Sequence, residues 1–371
     1  MISSMFFAAL TYSVFDFSNV GAILLTGDAT NQLSVMIPAA ILIGAGAAVL
    51  WSAQGVYVIK CASKETIGRY SGVFFGIMNS SNFIGPLLTA SLLQANVNKV
   101  TSFLVLSSVG LLGPALLVFV WFRPPPFNPS VPAEPEPKHD STPVLLKAFK
   151  IIISKKMLMV AVLVYLNSFE QAFNNATLPL FIKTNSPTDD LRTKLYVGVA
   201  YGIALTIGAF TVGPITDRVN NPTLIIAVDS AIHLSALIAL WVHPNPYNNL
   251  GLLIPVNIIC AISDATLNNQ VYKIVAGLFP ASSTAYAAYK FHASFMMGIC
   301  FLLSKALLKD DGTPNMAVWV PLLAVLFVGA IVSTFYSTRK IVWSSQEELI
   351  PDFEKLEEEE GDDKLIKIDK R

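Results

Sequence analysis

The sequence is short of charge. Only 13% of its 371 residues are Asp, Glu, Lys or Arg, against ~25% in a soluble domain. What charge there is sits unevenly, and the acidic run EKLEEEEGDD is confined to the tail at 354–363. The net charge is zero, and no basic cluster with interleaved aromatics occurs, which excludes a nucleic-acid partner. The N-terminus has no basic stretch, since the first Lys is Lys60. That argues against a cleaved signal peptide, and the first apolar run is expected to act as an uncleaved anchor. Cysteine is also scarce. Cys61, Cys260 and Cys300 are scattered and odd in number, so neither a disulfide framework nor a metal site is expected. No phosphate-binding Gly-Lys-Ser/Thr loop or nucleophile elbow is present. These absences point to no enzyme, no cofactor and no bound metal.

What is abundant is apolar sequence, 53% of the chain, with a mean hydropathy of +0.58. A run of 18 or more apolar residues fits the ~30 Å hydrocarbon core of a bilayer. The chain is therefore read as an all-α polytopic membrane protein whose first partner is the lipid bilayer. Ten spans are expected, near 2–25, 37–59, 70–93, 101–122, 157–181, 195–214, 222–242, 250–272, 285–306 and 316–337.

Lys and Arg in the connections orient the spans. Eighteen lie on the side that carries both termini and six on the other, with Lys290 inside a span. Both termini are expected in the cytoplasm; plasma membrane and endomembrane are not distinguished. The segment RPPPFNPSVPAEPEPKHDSTP, 123–143, holds eight of the 22 prolines and reads as an extended, semi-rigid linker. It divides the chain into a first helical half (1–122), a linker (123–150), a second half (151–340) and an acidic tail (341–371).

The two halves share a pattern. Gln54 is followed by Val56-Tyr57, and Gln270 by Val271-Tyr272. Sixteen residues after each Gln comes Tyr70 or Tyr286, each near the start of the next span. Such an internal repeat is a common plan among transporters.

Several stretches resemble a known family. GAGAAVLWSAQGVYV, carrying Gly44, Gly46, Trp51, Gln54 and Gly55, is followed by Gly68-Arg69-Tyr70, then Ser81 and Gly85. SDATLNNQVYKIVAGLFP carries Asp264, Ala265, Asn268 and Gln270, and the next helix has Lys290 at a position often basic. Together they resemble the UNC-ninety-three-like family of the major facilitator superfamily. GPITDR resembles that superfamily's cytoplasmic loop motif through Gly213, Asp217 and Arg218. In it, Gly permits a tight turn, Asp can cap a helix N-terminus and Arg can bridge to a neighbouring helix. The resemblance implies a major-facilitator-like bundle in two pseudo-repeated halves. Twelve spans are usual in that family, and this chain begins at what would be the third, so the first half is expected to be two helices short.

Polar residues inside apolar spans are the site candidates. Trp51, Gln54, Asn268 and Gln270 read either as hydrogen-bonding glue between helices or as the lining of a central cavity. Ionisable groups at membrane depth are costly and default to functional candidates. They are Glu170, Asp229 and His233 (four apart on one helix face), Asp264 and Lys290. Asp229 with His233 could relay a proton or form a mutually satisfied pair. Asn175-Ala176-Thr177 is a possible glycosylation acceptor on the outer side. Two functions compete. The resemblance implies a regulator of, or partner to, ion channels (potassium channels in particular) or other membrane proteins. Composition and spacing alone suit a secondary transporter of a small solute or ion.

Overall fold

The computed structural model describes residues 66–98, 144–184, 186–279 and 282–341, with scattered positions at 41–62 and 101–109. Gln54, the expected linker as far as 143, the acidic tail after 341 and the first expected span lie outside the described residues, whereas the linker's last residues, 144–150, are helical rather than extended. So does most of the fourth, and only isolated positions of the second are described.

Nine α-helices carry the described fold. They are α1 (Ile67–Asn79), α2 (Ser81–Gln94), α3 (Val144–Ile152), α4 (Lys155–Ala172), α5 (Pro187–Val219), α6 (Pro222–Val242), α7 (Leu250–Leu278) and α8 (Ser283–Ala306), followed by α9 (Met316–Ile341). No strand occurs among the described residues. Helices from α5 to α9 are each long and apolar enough to cross a membrane. Their lipid-side residues are apolar too: on α6, Leu224, Val228 and Ile232 are exposed at four-residue intervals while Ile226, Ser230, His233 and Leu237 are buried.

The helix ends follow local chemistry. Ser154, Asn221, Asn249 and Ser282 each accept a backbone N–H three residues on, capping α4, α6, α7 and α8. Asn220 ends α5 in the left-handed region (φ 44°), and Asn221 at once caps α6. Two asparagines thus make the whole turn, one because Asn tolerates that region and one because its side chain accepts.

Three spans differ from expectation. The span near 70–93 is broken at Ser80, where the Ser80 and Ser81 hydroxyls donate back to the Ile77 and Met78 carbonyls and compete with the helix ladder. The span near 195–214 extends at both ends to the 33 residues of α5, about 50 Å long. Its extra first turns carry the Asp190–Lys194 pair at 2.6 Å, so charges that looked like a loop are helical. The span near 157–181 is not one helix. After α4 comes a π turn, Phe173–Thr177, then a 3-10 turn, Leu178–Phe181. Pro179 has no N–H to give the carbonyl four residues back, and its ring crowds that turn.

α5 is the central helix, packed on α1, α2 and α7. α8 lies on α4 and α3, tied by His292, whose ring nitrogens meet the Tyr165 hydroxyl at 2.8 Å and the Ile152 carbonyl at 3.0 Å. Trp319 of α9 fills the space between Phe169 and Phe173.

Candidate functional site: a buried polar cluster and a contact between halves

The polar candidates fall into three places. The largest is a cluster between α4, α5, α6 and α7. Glu170, His233 and Ser263 are each 1% exposed, and Asp264 is 5% exposed. His233 Nδ1 lies 2.9 Å from Glu170 Oε1, within ion-pair range but off a good hydrogen-bonding line. His233 Nε2 meets Cys260 Sγ at 3.3 Å, and its ring packs edge-on against Phe327. The Ser263 hydroxyl lies 2.7 Å from Asp229 Oδ2 and 3.1 Å from Glu170 Oε2.

That arrangement has a chemical consequence. A serine hydroxyl has one hydrogen and two acceptor lone pairs. Ser263 can donate to one carboxylate at a time. The other contact becomes a hydrogen bond only when that carboxyl carries a proton of its own. The Ser263 hydroxyl therefore links Asp229 to Glu170, and His233 stands beside Glu170 at ion-pair distance.

Asp264 anchors the other end. It accepts from Gln171 at 2.8 Å, from Tyr201 at 3.0 Å and from Asn268 at 2.7 Å. Asn167 donates to Asn268 at 3.0 Å. Three donors on one buried carboxylate are what a charge at membrane depth needs.

The second place joins α5 to α1. Gly213, Asp217 and Arg218 are the last turns of α5, not a loop, because the helix runs on to its cap at Asn220. Asp217 Oδ1 accepts from the Gly68 N–H at 2.9 Å and Oδ2 from the Arg69 N–H at 2.7 Å. Thr66, at the N-cap of α1, makes no side-chain cap. A carboxylate from 148 residues away in sequence does it instead, where the helix dipole favours negative charge. The contact is close because side chains are missing. A Cβ on Gly213 would lie 2.5 Å from the Gly68 carbonyl oxygen, and one on Gly72 would lie 2.6 Å from the Ala209 carbonyl oxygen. Gln270 is fully buried and donates to Thr216 Oγ1 at 2.7 Å. Lys273 donates to the Thr216 carbonyl and to Asn220, both at 3.0 Å, satisfying the C-terminal end of α5. Arg218 is exposed.

The third place is Lys290. Its ammonium stands 4.2 Å from the Trp51 ring centroid and 4.9 Å from that of Tyr289, a cation–π arrangement. Trp51 thus faces a cation carried by α8.

Thus Glu170, Asp229, His233, Asp264 and Asn268 come together, whereas Gln270 belongs with Asp217, and Lys290 with Trp51. Asn175 sits on the π turn and donates to the Gln171 carbonyl at 2.8 Å. Sequence reasoning missed Ser263, Cys260, Asn167, Gln171 and Tyr201. Asn167, Glu170, Gln171 and Asn174 are spaced three, four and seven apart, a polar stripe at helical period that was there to be read.

Comparison with known proteins agrees with this architecture. A family model described as "Ion channel regulatory protein UNC-93" matches residues 2–335. The chain is 25% identical to UNC93-like protein MFSD11 of Xenopus laevis, over 77% of this chain and 71% of that protein. It is 24% identical to protein unc-93 homolog A of Bos taurus, over 72% and 67%. In fold it is similar to the E. coli fucose:proton symporter FucP, with a TM-score of 0.61 at 13% identity over 89% of this chain and 84% of that one. The fold is that of the major facilitator superfamily, and the chain belongs to the UNC-93 family of membrane proteins.

Proposed function

We propose that this protein regulates an ion channel, a potassium channel in the first instance, by associating with it in the membrane. The family match over residues 2–335 carries this reading. Two features of the fold support it. The carboxylates of the cluster are held by internal hydrogen bonds, as in a fixed scaffold. The outer faces of α6 and α9 expose Leu, Val and Phe that suit a partner's transmembrane helix as well as lipid. Both termini lie in the cytoplasm on this proposal, following the distribution of Lys and Arg.

The test is co-expression with a panel of potassium channels, reading current and co-purification in mild detergent. A changed current together with a stable complex is the expected result. Unchanged currents and no complex across the panel overturn it. For orientation, tags at each end should survive protease outside intact cells.

A second reading is a proton-coupled transporter. The Asp229–Ser263–Glu170–His233 chain favours it, since two carboxylates there share one hydroxyl proton. Reconstitution in liposomes under a proton gradient separates the readings. Solute accumulation abolished by Glu170→Gln supports transport and removes the need for a channel partner.

A further inference from the structure

A pocket beside the π turn adjoins the polar cluster at Tyr201. Its volume is about 110 Å³, and it lies between the π turn, the first turns of α5 and the start of α7. One water needs about 10–15 Å³ of such space, so the pocket is large enough for a small organic molecule. Its polar lining includes Asn174, Lys194, Tyr201 and Asn257, and its apolar lining includes Ile182 and Leu253.

Asn174 is the telling residue. It is only 7% exposed, and neither its Oδ1 nor its Nδ2 makes a hydrogen bond of ordinary length, the Tyr201 hydroxyl being the polar group beside it. A buried amide with donor and acceptor both unpaired calls for a partner outside the chain. Its position has a backbone cause. The π turn, closed by the bond from Leu178 N–H to the Phe173 carbonyl, is wider than an α turn, and such turns recur at functional sites.

The lining also restricts what fits. Lys194 is committed to Asp190 at 2.6 Å, so its positive charge is already balanced and an anion gains little. Asn257 uses its amide N–H on the Leu253 carbonyl at 2.8 Å, which leaves its oxygen as an acceptor. The Tyr201 hydroxyl gives its proton to Asp264 and can accept. The free Asn174 edge presents a donor and an acceptor side by side, which is the complement of another planar amide edge.

We propose that this pocket binds a small, uncharged primary amide, held edge to edge by Asn174, with its remaining N–H shared between Asn257 and Tyr201. Tyr201 also places the occupant one hydrogen bond from Asp264. The proposal stands apart from both functional readings and needs neither.

The test uses the full chain in lipid nanodiscs, with acetamide as the probe and saturation-transfer NMR as the readout. Acetamide should receive saturation, and N,N-dimethylacetamide, which has no N–H, should receive at least fivefold less. Asn174→Leu should reduce the acetamide signal at least fivefold, with the unfolding temperature checked for a folded variant. Should that variant fail to fold, the two probes on the unaltered chain decide alone. No saturation of acetamide at tens of millimolar means the pocket holds water only and overturns the proposal. Equal signals from the two probes also overturn it.

Discussion

The α1–α5 contact and the Glu170 cluster both hold helices together, by opposite means. At the first, glycines remove side chains so that backbones meet, and one carboxylate caps the neighbouring helix. At the second, side chains reach across a wider gap and satisfy one another. In a bilayer no hydrophobic drive favours helix against helix over helix against lipid. Close packing and polar pairing are the means left, and this chain spends them in different places. The glycine contact tolerates no added atom, because backbone cannot move aside. The polar cluster tolerates no lost atom, because a stranded charge has no water to turn to.

Seven substitutions, three of them partners or controls, sharpen that contrast. Glu170→Ala should have the largest effect, since it leaves the buried His233 without its carboxylate, while Ser263 keeps Asp229. Breaking a buried pair costs about 3–5 kcal/mol, read as a fall in unfolding midpoint in detergent. Adding His233→Phe should recover part of that loss, because the orphaned imidazole is then gone. Full additivity of the two would show that they do not interact.

Gly213→Ala comes next, at about 1–3 kcal/mol from overpacking. The same change at Gly298, where a Cβ would meet nothing within 4 Å, should be neutral or stabilising. Equal effects at the two glycines would mean that α1 and α5 do not touch as described. Asp217→Asn should cost about 1 kcal/mol, the worth of a helix cap with its charge. Hydrogen exchange at the Gly68 and Arg69 amides should speed up while exchange within α7 stays unchanged. The smallest effect is expected from Trp51→Leu, about 0.5–2 kcal/mol from the lost cation–π contact. Its check is the same unfolding assay, in which Lys290→Met should cost at least as much, since it also loses the Tyr289 contact, and adding Trp51→Leu to it should cost little more.

Much of this was legible in the sequence, residue by residue. The polar period of Asn167, Glu170, Gln171 and Asn174 marks one face of α4 as turned inward. Asp229 and His233, four apart on α6, both reach the Glu170 cluster. The reading of Asp217 as a helix cap was right in kind and local in scope. It caps α1, across the molecule, rather than a helix beside its own turn. GPITDR was expected to be a loop from its resemblance to the superfamily's cytoplasmic motif. Inside a bilayer neighbouring helices re-satisfy the groups a proline frees, and α5 runs through Gly213 and Pro214.

By itself the sequence determined most of the helices, their apolar outer faces and the local caps at Ser154, Asn221, Asn249 and Ser282. All of these depend on neighbours within a few residues, and spacing records them directly. Only the tertiary structure decided which polar groups meet. Ser263 stands between Asp229 and Glu170, 34 and 93 residues away, and Gly68 meets Asp217 across 149. The π turn that leaves Asn174 unpartnered depends on how α4 packs as well as on Pro179. No period in the chain encodes such separations, because they are set by which ridges and gaps interlock when the helices assemble.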